Sequence, residues 1–324
     1  MLIDTFNRKI DYLRISVTDR CNLRCVYCLP EAGIIHKEQN TLLSFEEIVR
    51  VVEAAVKLGV DKVRLTGGEP LVRKGIVSLV GMLAAIPGIS DLSMTTNGIL
   101  LPEFARRLKD AGLKRLNISL DSLTPDRYRR ITRRENLAAV EEGIRFALRL
   151  GFNPLKINVL LLSDLDNQEI VKFLQLTRES NLHLRFLEFM PINAFYQLSK
   201  PIAASTVLEL AGQLGTIEET KIYGHGPAKN YQLKGFSGTF GIIEPMSNKF
   251  CSSCNRLRLT ADGFLKSCLH SNCQVNLRDR LRRDCAENGL VQLIKTAVKM
   301  KPKEHSLDRL TRETSEHLMC QIGG

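Results

Sequence analysis

Residues 12–29 read YLRISVTDRCNLRCVYCL and residues 63–70 read VRLTGGEP. Each stretch starts as a β-rich run, at 13–17 and 63–66, and breaks into a loop with reactive or glycine-rich character. Similar runs recur at 91–95, 115–120, 156–162 and 184–189, separated by amphipathic patterns. The clearest is 45–58, with Ile48, Val51, Val52, Ala55 and Leu58 on one side. Ser44 before it and Glu47 three residues on form a capping box, and Gly59 closes it. Pro102 suits the first turn of the next helix and Gly112 its end. Further helical patterns cover 137–150, stopped by Gly151, and 167–178.

This repeated βα alternation predicts right-handed crossovers and a mostly parallel sheet. Helices over such a sheet bury apolar runs like 157–162 on both faces. Six candidate strands fit a partial barrel or an open α/β sheet, with ligands near the C-terminal strand ends. After about residue 201 the pattern changes. Gly, Ser, Lys and Asn become frequent from 224 to 248, a second cysteine group follows, and 277–299 reads as helical with Leu281, Leu290, Ile294 and Val298 apolar. The expected division is therefore 1–220 and 221–324.

Composition narrows the class without choosing a function. The 324 residues are 44% hydrophobic and 25% charged, as in an ordinary soluble protein. Lys+Arg 46 against Asp+Glu 35 gives +11, which suits an acidic partner but identifies none. No apolar run approaches the roughly 20 residues of a membrane span, and no secretory signal is expected at the N-terminus. A cytoplasmic protein without membrane association is the expectation.

The nine cysteines are grouped. Cys21, Cys25 and Cys28 follow C-x3-C-x2-C, and Cys251, Cys254 and Cys268 follow C-x2-C-x13-C. A chain with this much apolar material does not need a disulfide scaffold, so the thiols read as metal or iron–sulfur ligands. Three thiolates on a four-iron cluster leave one iron open to a small ligand. A zinc loop completed from elsewhere, or free redox thiols, are the competing readings of the first group. Structural zinc competes at the second. There, however, Arg256 and Arg258 sit two apart and share a face if extended, which suggests a held anion.

The motif C-x3-C-x-Tyr-C, followed by Gly67-Gly68-Glu69-Pro70 after a strand, resembles the radical S-adenosylmethionine (SAM) superfamily. The blocks LRISVTDRCNLRCVYC, VRLTGGEPLVRK, MTTNG, LNISLDSL, LKINVLL and RFLEFMP, the second cysteine block and the terminal IGG extend the resemblance from Arg14 to Gly324. Together they resemble the GTP 3′,8-cyclase family of molybdenum cofactor biosynthesis. The resemblance implies an α/β fold: an incomplete six-unit (β/α) TIM-like barrel with a C-terminal iron–sulfur region over its open side.

It also implies two [4Fe–4S] clusters, one on Cys21, Cys25 and Cys28, the other on Cys251, Cys254 and Cys268. SAM contacts fall on Tyr27, Gly68, Ser119 and Met190. Glu69 reads as an acceptor for a ligand amine, and Asn117 and Asp121 as further contacts. GTP contacts fall on Arg14, Arg64, Thr95, Lys156, Arg185, Arg256 and Arg258, with Lys62 a weaker candidate. Gly323 and Gly324 match a tail that reaches the active site. The implied chemistry is reductive cleavage of SAM to a 5′-deoxyadenosyl radical, abstraction of H3′ from GTP, attack of C3′ on C8, and reduction to (8S)-3′,8-cyclo-7,8-dihydroguanosine 5′-triphosphate. An external one-electron donor and the downstream cyclic pyranopterin monophosphate synthase are the implied partners, and a homodimer is compatible with the resemblance.

Other features stay outside this scheme. Cys273, Cys285 and Cys320 are not assigned as ligands, and His270 reads as a structural or solvent-facing histidine. Arg278, Arg280, Arg282 and Arg283 form a basic stretch. Without interleaved stacking aromatics it reads as a solvated helix face rather than a stable nucleic-acid site. Two rival readings are a different two-cluster radical enzyme that modifies peptides, and a zinc-stabilised RNA-binding protein.

Overall fold

The computed structural model describes residues 1–192, 202–221, 226–283, 287–307 and 318–323. Cys285 and Gly324 lie outside them. The N-terminal part alternates strand and helix: β1 (Tyr12–Ser16), α1 (Phe45–Lys57), β2 (Lys62–Thr66), α2 (Ile76–Ala84), β3 (Asp91–Thr96), α3 (Leu101–Asp110), β4 (Arg115–Ser119), α4 (Pro125–Thr132), α5 (Leu137–Arg149), β5 (Leu155–Leu160), α6 (Asn167–Gln175) and β6 (Leu182–Leu187). The capping box forms: Ser44 Oγ accepts from Glu47 N at 3.1 Å, and Glu47 accepts from Ser44 N at 2.7 Å.

The rest continues through α7 (Ala204–Leu214), β7 (Ile217–Glu219), β8 (Lys229–Leu233), β9 (Thr239–Ile243), β10 (Arg256–Leu259), β11 (Phe264–Lys266), β12 (Gln274–Asn276), α8 (Arg278–Arg282), α9 (Glu287–Lys299) and α10 (Met319–Ile322). Among the described residues the helical run expected over 277–299 is therefore two helices rather than one.

The strands join in one sheet in the order β12-β11-β10-β1-β2-β3-β4-β5-β6-β9-β8-β7. β1 to β6 are parallel neighbours, as the βα alternation requires. The C-terminal region adds a parallel strand at each edge: β10 beside β1 and β9 beside β6. Outside these, β11 and β12, and β8 and β7, are antiparallel. Both edges of the partial barrel are thus extended by later chain rather than left exposed.

Register explains the interior. One face carries Leu13, Ile15, Val63, Leu65, Leu92, Met94, Leu116, Ile118, Ile157, Leu184, Phe186, Leu257 and Leu259, all buried in the main apolar cluster. The alternate positions are polar: Arg14, Arg64, Ser93, Thr95, Arg115, Asn117, Lys156, Arg185 and Arg258. The expectation of apolar burial on both faces therefore holds for the helix-covered side alone. The other side lines a polar lumen, because side chains alternate along each strand.

Candidate active site: two cysteine groups around a cationic lumen

The cysteine loop leaves the C-terminal end of β1. Val26 N donates to Ile131 O at 2.9 Å and Arg24 N to Thr132 O at 3.0 Å, which seats the loop on α4. Tyr27 donates to Asp121 Oδ2 at 2.6 Å, and Leu160 N donates to Asp121 Oδ1 at 2.9 Å. The aromatic residue of the motif is thus tied to the ends of β4 and β5.

The glycine pair packs against the cysteine loop. Gly68 N donates to Thr18 O at 2.7 Å, and a Cβ on Gly68 would lie 2.2 Å from Arg20 O. Its missing side chain admits the backbone of the cysteine loop. Glu69 is buried, and its carboxylate accepts from Thr96 Oγ1 at 2.7 Å, Asn97 N at 2.7 Å and Leu71 N at 3.1 Å. Burial pushes this carboxyl up to about 7 despite those bonds. Both oxygens are engaged in holding the turns around it. Ser119 and Met190 are half-buried, Ser119 at the end of β4 and Met190 just past β6.

The three thiols of the loop sense one another. Burial, then the charge of Glu69, pushes Cys21 up to about 11. Burial and Cys21 raise Cys25, while burial, Cys320, Cys25 and Cys21 raise Cys28. A soft cation would reverse this penalty by taking the thiolates as ligands. Among the described residues no three His, Cys, Asp or Glu side chains close around a point as for a single metal ion. A four-iron cluster requires a wider triangle, because each thiolate binds a different iron. The donor set and spacing of this loop fit such a cluster.

Beneath the loop the lumen gathers cations. In register across the sheet, Arg258 and Arg64 flank Arg14, and Ser93 and Arg115 follow. Lys156 and Arg185 complete the lining from β5 and β6. Burial and Arg185, Arg115 and Arg64 push the Lys156 amine down to about 5. Burial and Arg64 push Arg185 down to about 9, and burial and Arg256 push Arg258 to about 10. Such mutual depression marks positive charge that the protein does not fully neutralise. The hydroxyls of Thr95 and Tyr12 and the Nε atoms of Arg185 and Arg256 are buried without a hydrogen-bond partner among the described residues. A polyanion with several acceptors would satisfy the guanidinium groups.

Two lumen cations are already paired. Lys62 meets Asp11 Oδ2 at 2.8 Å, and Arg115 forms an ion pair with Asp91. Lys62 is accordingly a less available phosphate ligand than its neighbours. Sequence reading passed over Arg115, although it stands among apolar strand neighbours as Arg14 and Arg185 do.

The second cysteine group lies beside β10, on the other side of these arginines. Burial raises Cys251. In Cys254 the upward push of burial is outweighed by Lys301 and Arg256, which hold the thiol below its ordinary value. The sulfurs of Cys268 and Cys254 are close enough to affect Arg258. Three thiols beside cations again fit an anionic iron–sulfur group. The tail also arrives here: Arg258 Nη1 donates to Gly323 O at 2.5 Å, and Gly323, with φ +70°, rests on Thr66 at the end of β2. Cys320, on α10, is buried close enough to Cys28 and Cys21 to influence both.

The basic stretch on α8 faces the protein as well as solvent. Arg282 Nε contacts Glu47 at 2.8 Å and its Nη atoms reach Asn40 O and Leu42 O at 2.9 and 3.0 Å. His270 lies 5.2 Å ring to ring from His305, with its Nε2 buried.

Comparisons with known proteins agree with this arrangement. The Radical SAM superfamily pattern matches residues 15–177, and the Molybdenum Cofactor Synthesis C pattern matches 182–307. A GTP 3′,8-cyclase of Alkaliphilus oremlandii is 47% identical over 323 residues, covering 99% of both chains. One from Moorella thermoacetica is 46% identical over 325 residues, again covering 99% of each. The chain belongs to the GTP 3′,8-cyclase family. Members of this family are radical SAM enzymes, and that superfamily implies a [4Fe–4S] cluster and SAM. The structure of Streptococcus suis SuiB with S-adenosylmethionine shares the fold. Its TM-score is 0.60 at 13% identity, covering 87% of this chain and 68% of SuiB. No helix among the described residues is long and apolar enough to cross a membrane.

Proposed function

We infer that this member of the cyclase family converts GTP to (8S)-3′,8-cyclo-7,8-dihydroguanosine 5′-triphosphate, the first step of molybdenum cofactor biosynthesis. The observation that carries the reading is the buried cationic lumen between two three-cysteine groups. When bound, the [4Fe–4S] cluster on Cys21, Cys25 and Cys28 and its SAM supply the radical that takes hydrogen from the substrate.

The chain's own residues do the rest by position. Tyr27, Gly68, Ser119 and Met190 surround the place for SAM at the C-terminal strand ends, with Glu69 bracing the turn beneath. Arg14, Arg64, Lys156, Arg185 and Arg258 face the triphosphate, with Thr95 and Arg256 beside it, and the charge of the arginines draws in a polyanion that water would otherwise hold. Cys251, Cys254 and Cys268 would hold a second [4Fe–4S] cluster on the guanine side. Gly323 closes the site over Arg258, and Gly324 is read as part of the same tail by the family resemblance alone. Orientation of the sugar against the reacting centre is the protein's main contribution, with exclusion of stray hydrogen donors.

Residues 1–220 form the radical SAM part in this reading, and 221–324 the second-cluster and GTP-binding part. A cytoplasmic location, an external one-electron donor, delivery to cyclic pyranopterin monophosphate synthase and a homodimer belong to the same reading. The test is anaerobic reconstitution with iron and sulfide, which should load about eight irons per chain. Reductant, SAM and GTP should then yield 5′-deoxyadenosine and an isomer of GTP. SAM cleavage with GTP left unchanged would reject the substrate, and zinc at both sites without SAM cleavage would reject the enzyme.

A further inference from the structure

We propose that Lys301 is a positioning residue of the second cysteine group, binding Cys254 to both arms of the ligand loop and supplying that site with a fixed positive charge. The inference rests on the reading of Cys251, Cys254 and Cys268 as a second four-iron site.

Lys301 follows α9 and is 3% exposed. Its Nζ donates to Arg256 O at 2.8 Å and to Ser267 O at 2.6 Å. The Cys254 sulfur lies close enough for the two groups to act on each other. An ammonium has three N–H donors and no acceptor, so the two carbonyls leave one N–H for that sulfur. Arg256 stands two residues after Cys254, and Ser267 immediately precedes Cys268. One side chain therefore gathers both ends of a loop whose cysteines are far apart in sequence.

The segment beyond Lys301 is anchored to the remaining cysteine. Arg8 Nη1 donates to Cys251 O at 2.8 Å and Lys303 O at 3.0 Å, and its Nη2 to Pro302 O at 2.7 Å. The His305 amide donates to the Cys251 sulfur. Residues 301–305 thus reach two of the three thiols.

The charge has a purpose that packing alone does not supply. Burying an ammonium is costly unless it is compensated. Here carbonyl dipoles and sulfur meet it, with Cys254 and Cys268 as its attractive charged neighbours. Metal loading turns thiols into thiolates, which are the missing anions. Hydrogen bonds to ligand sulfur and net charge set the potential of an iron–sulfur site. A cation beside Cys254 favours the more negatively charged, reduced state, and so raises the potential.

The test uses the full-length chain with Cys21→Ala, Cys25→Ala and Cys28→Ala, so that iron reports on the second group alone. This parent should bind about four irons after anaerobic reconstitution. A parent without iron–sulfur would overturn the second-site reading and this inference with it. Added to the parent, Lys301→Met should keep the circular dichroism spectrum while the cluster's midpoint potential, read by electron paramagnetic resonance, shifts more negative or the iron is lost. Lys301→Arg should recover iron and most of the shift. Unchanged iron and potential in Lys301→Met would overturn the role of Lys301 and leave the second cluster standing. Equal loss of iron from both variants would overturn it too, since restored charge would then not matter.

Discussion

At the residue scale, Gly323 and Lys156 give opposing tests. A Cβ on Gly323 would lie 2.3 Å from Thr66 Cγ2, at a φ of +70° that side chains rarely adopt. Gly323→Ala should displace the tail and break its contact with Arg258, lowering cyclised product by about tenfold or more, about 1.4 kcal/mol of transition-state stabilisation. Iron content should stay normal, and with Gly324→Ala added 5′-deoxyadenosine should still form. Assaying iron, nucleoside and cyclised GTP in one anaerobic preparation checks this, and normal cyclisation would reject a working tail. Lys156, at about 5 in the free protein, should gain a proton when a triphosphate arrives. Its bound-state value then lies above its free value, so the contribution to affinity is full at low pH and is lost as pH rises through the bound-state value. Calorimetry at pH 7 in buffers of different ionisation enthalpy should show proton uptake of up to about one per GTP. Lys156→Met should abolish that uptake and weaken GTP by about 10- to 100-fold, the range for a charge-assisted contact.

At the element scale, α1 is held at its start by more than its own cap. Ser44 and Glu47 exchange hydrogen bonds, and Glu47 also receives Arg282 from α8. Ser44→Ala should cost about 1 kcal/mol, the usual value of an N-cap. Glu47→Ala should cost more, because it also releases Arg282, leaving the bond from Arg50 Nη1 to Leu281 O to join α1 to α8. Thermal denaturation of both variants decides the order, and equal losses would make the Arg282 contact an idle surface pair. The capping box was legible locally, since two residues and their spacing make it. The Arg282 contact was not, because its partners are 235 residues apart.

At the scale of the whole molecule, the sheet does not stop where the chain changes composition. β10 pairs with β1 and β9 with β6, so the C-terminal part completes both edges of the N-terminal part. Residues 1–220 expressed alone should therefore expose two unpaired parallel edges and self-associate. Size-exclusion chromatography and circular dichroism check it: a monodisperse, cooperatively melting fragment would show that the six-strand unit needs no cover.

The sequence by itself determined the six βα units, the capped start of α1 and both cysteine groups, because periodicity, caps and short motifs are local. Its family resemblance also marked Arg14, Arg64, Lys156, Arg185, Arg256 and Arg258. Tertiary structure alone decided which of these cations were already neutralised, since Lys62 finds Asp11 and Arg115 finds Asp91 across neighbouring strands. It also gave Gly68 the Arg20 backbone as its close neighbour, turned Glu69 inward, and carried Lys301 to Cys254. A lysine after a helix looks the same in sequence whether it meets water or sulfur. The difference lies in burial, which is set by how distant segments pack and makes a carbonyl or a thiol the partner that water would otherwise be.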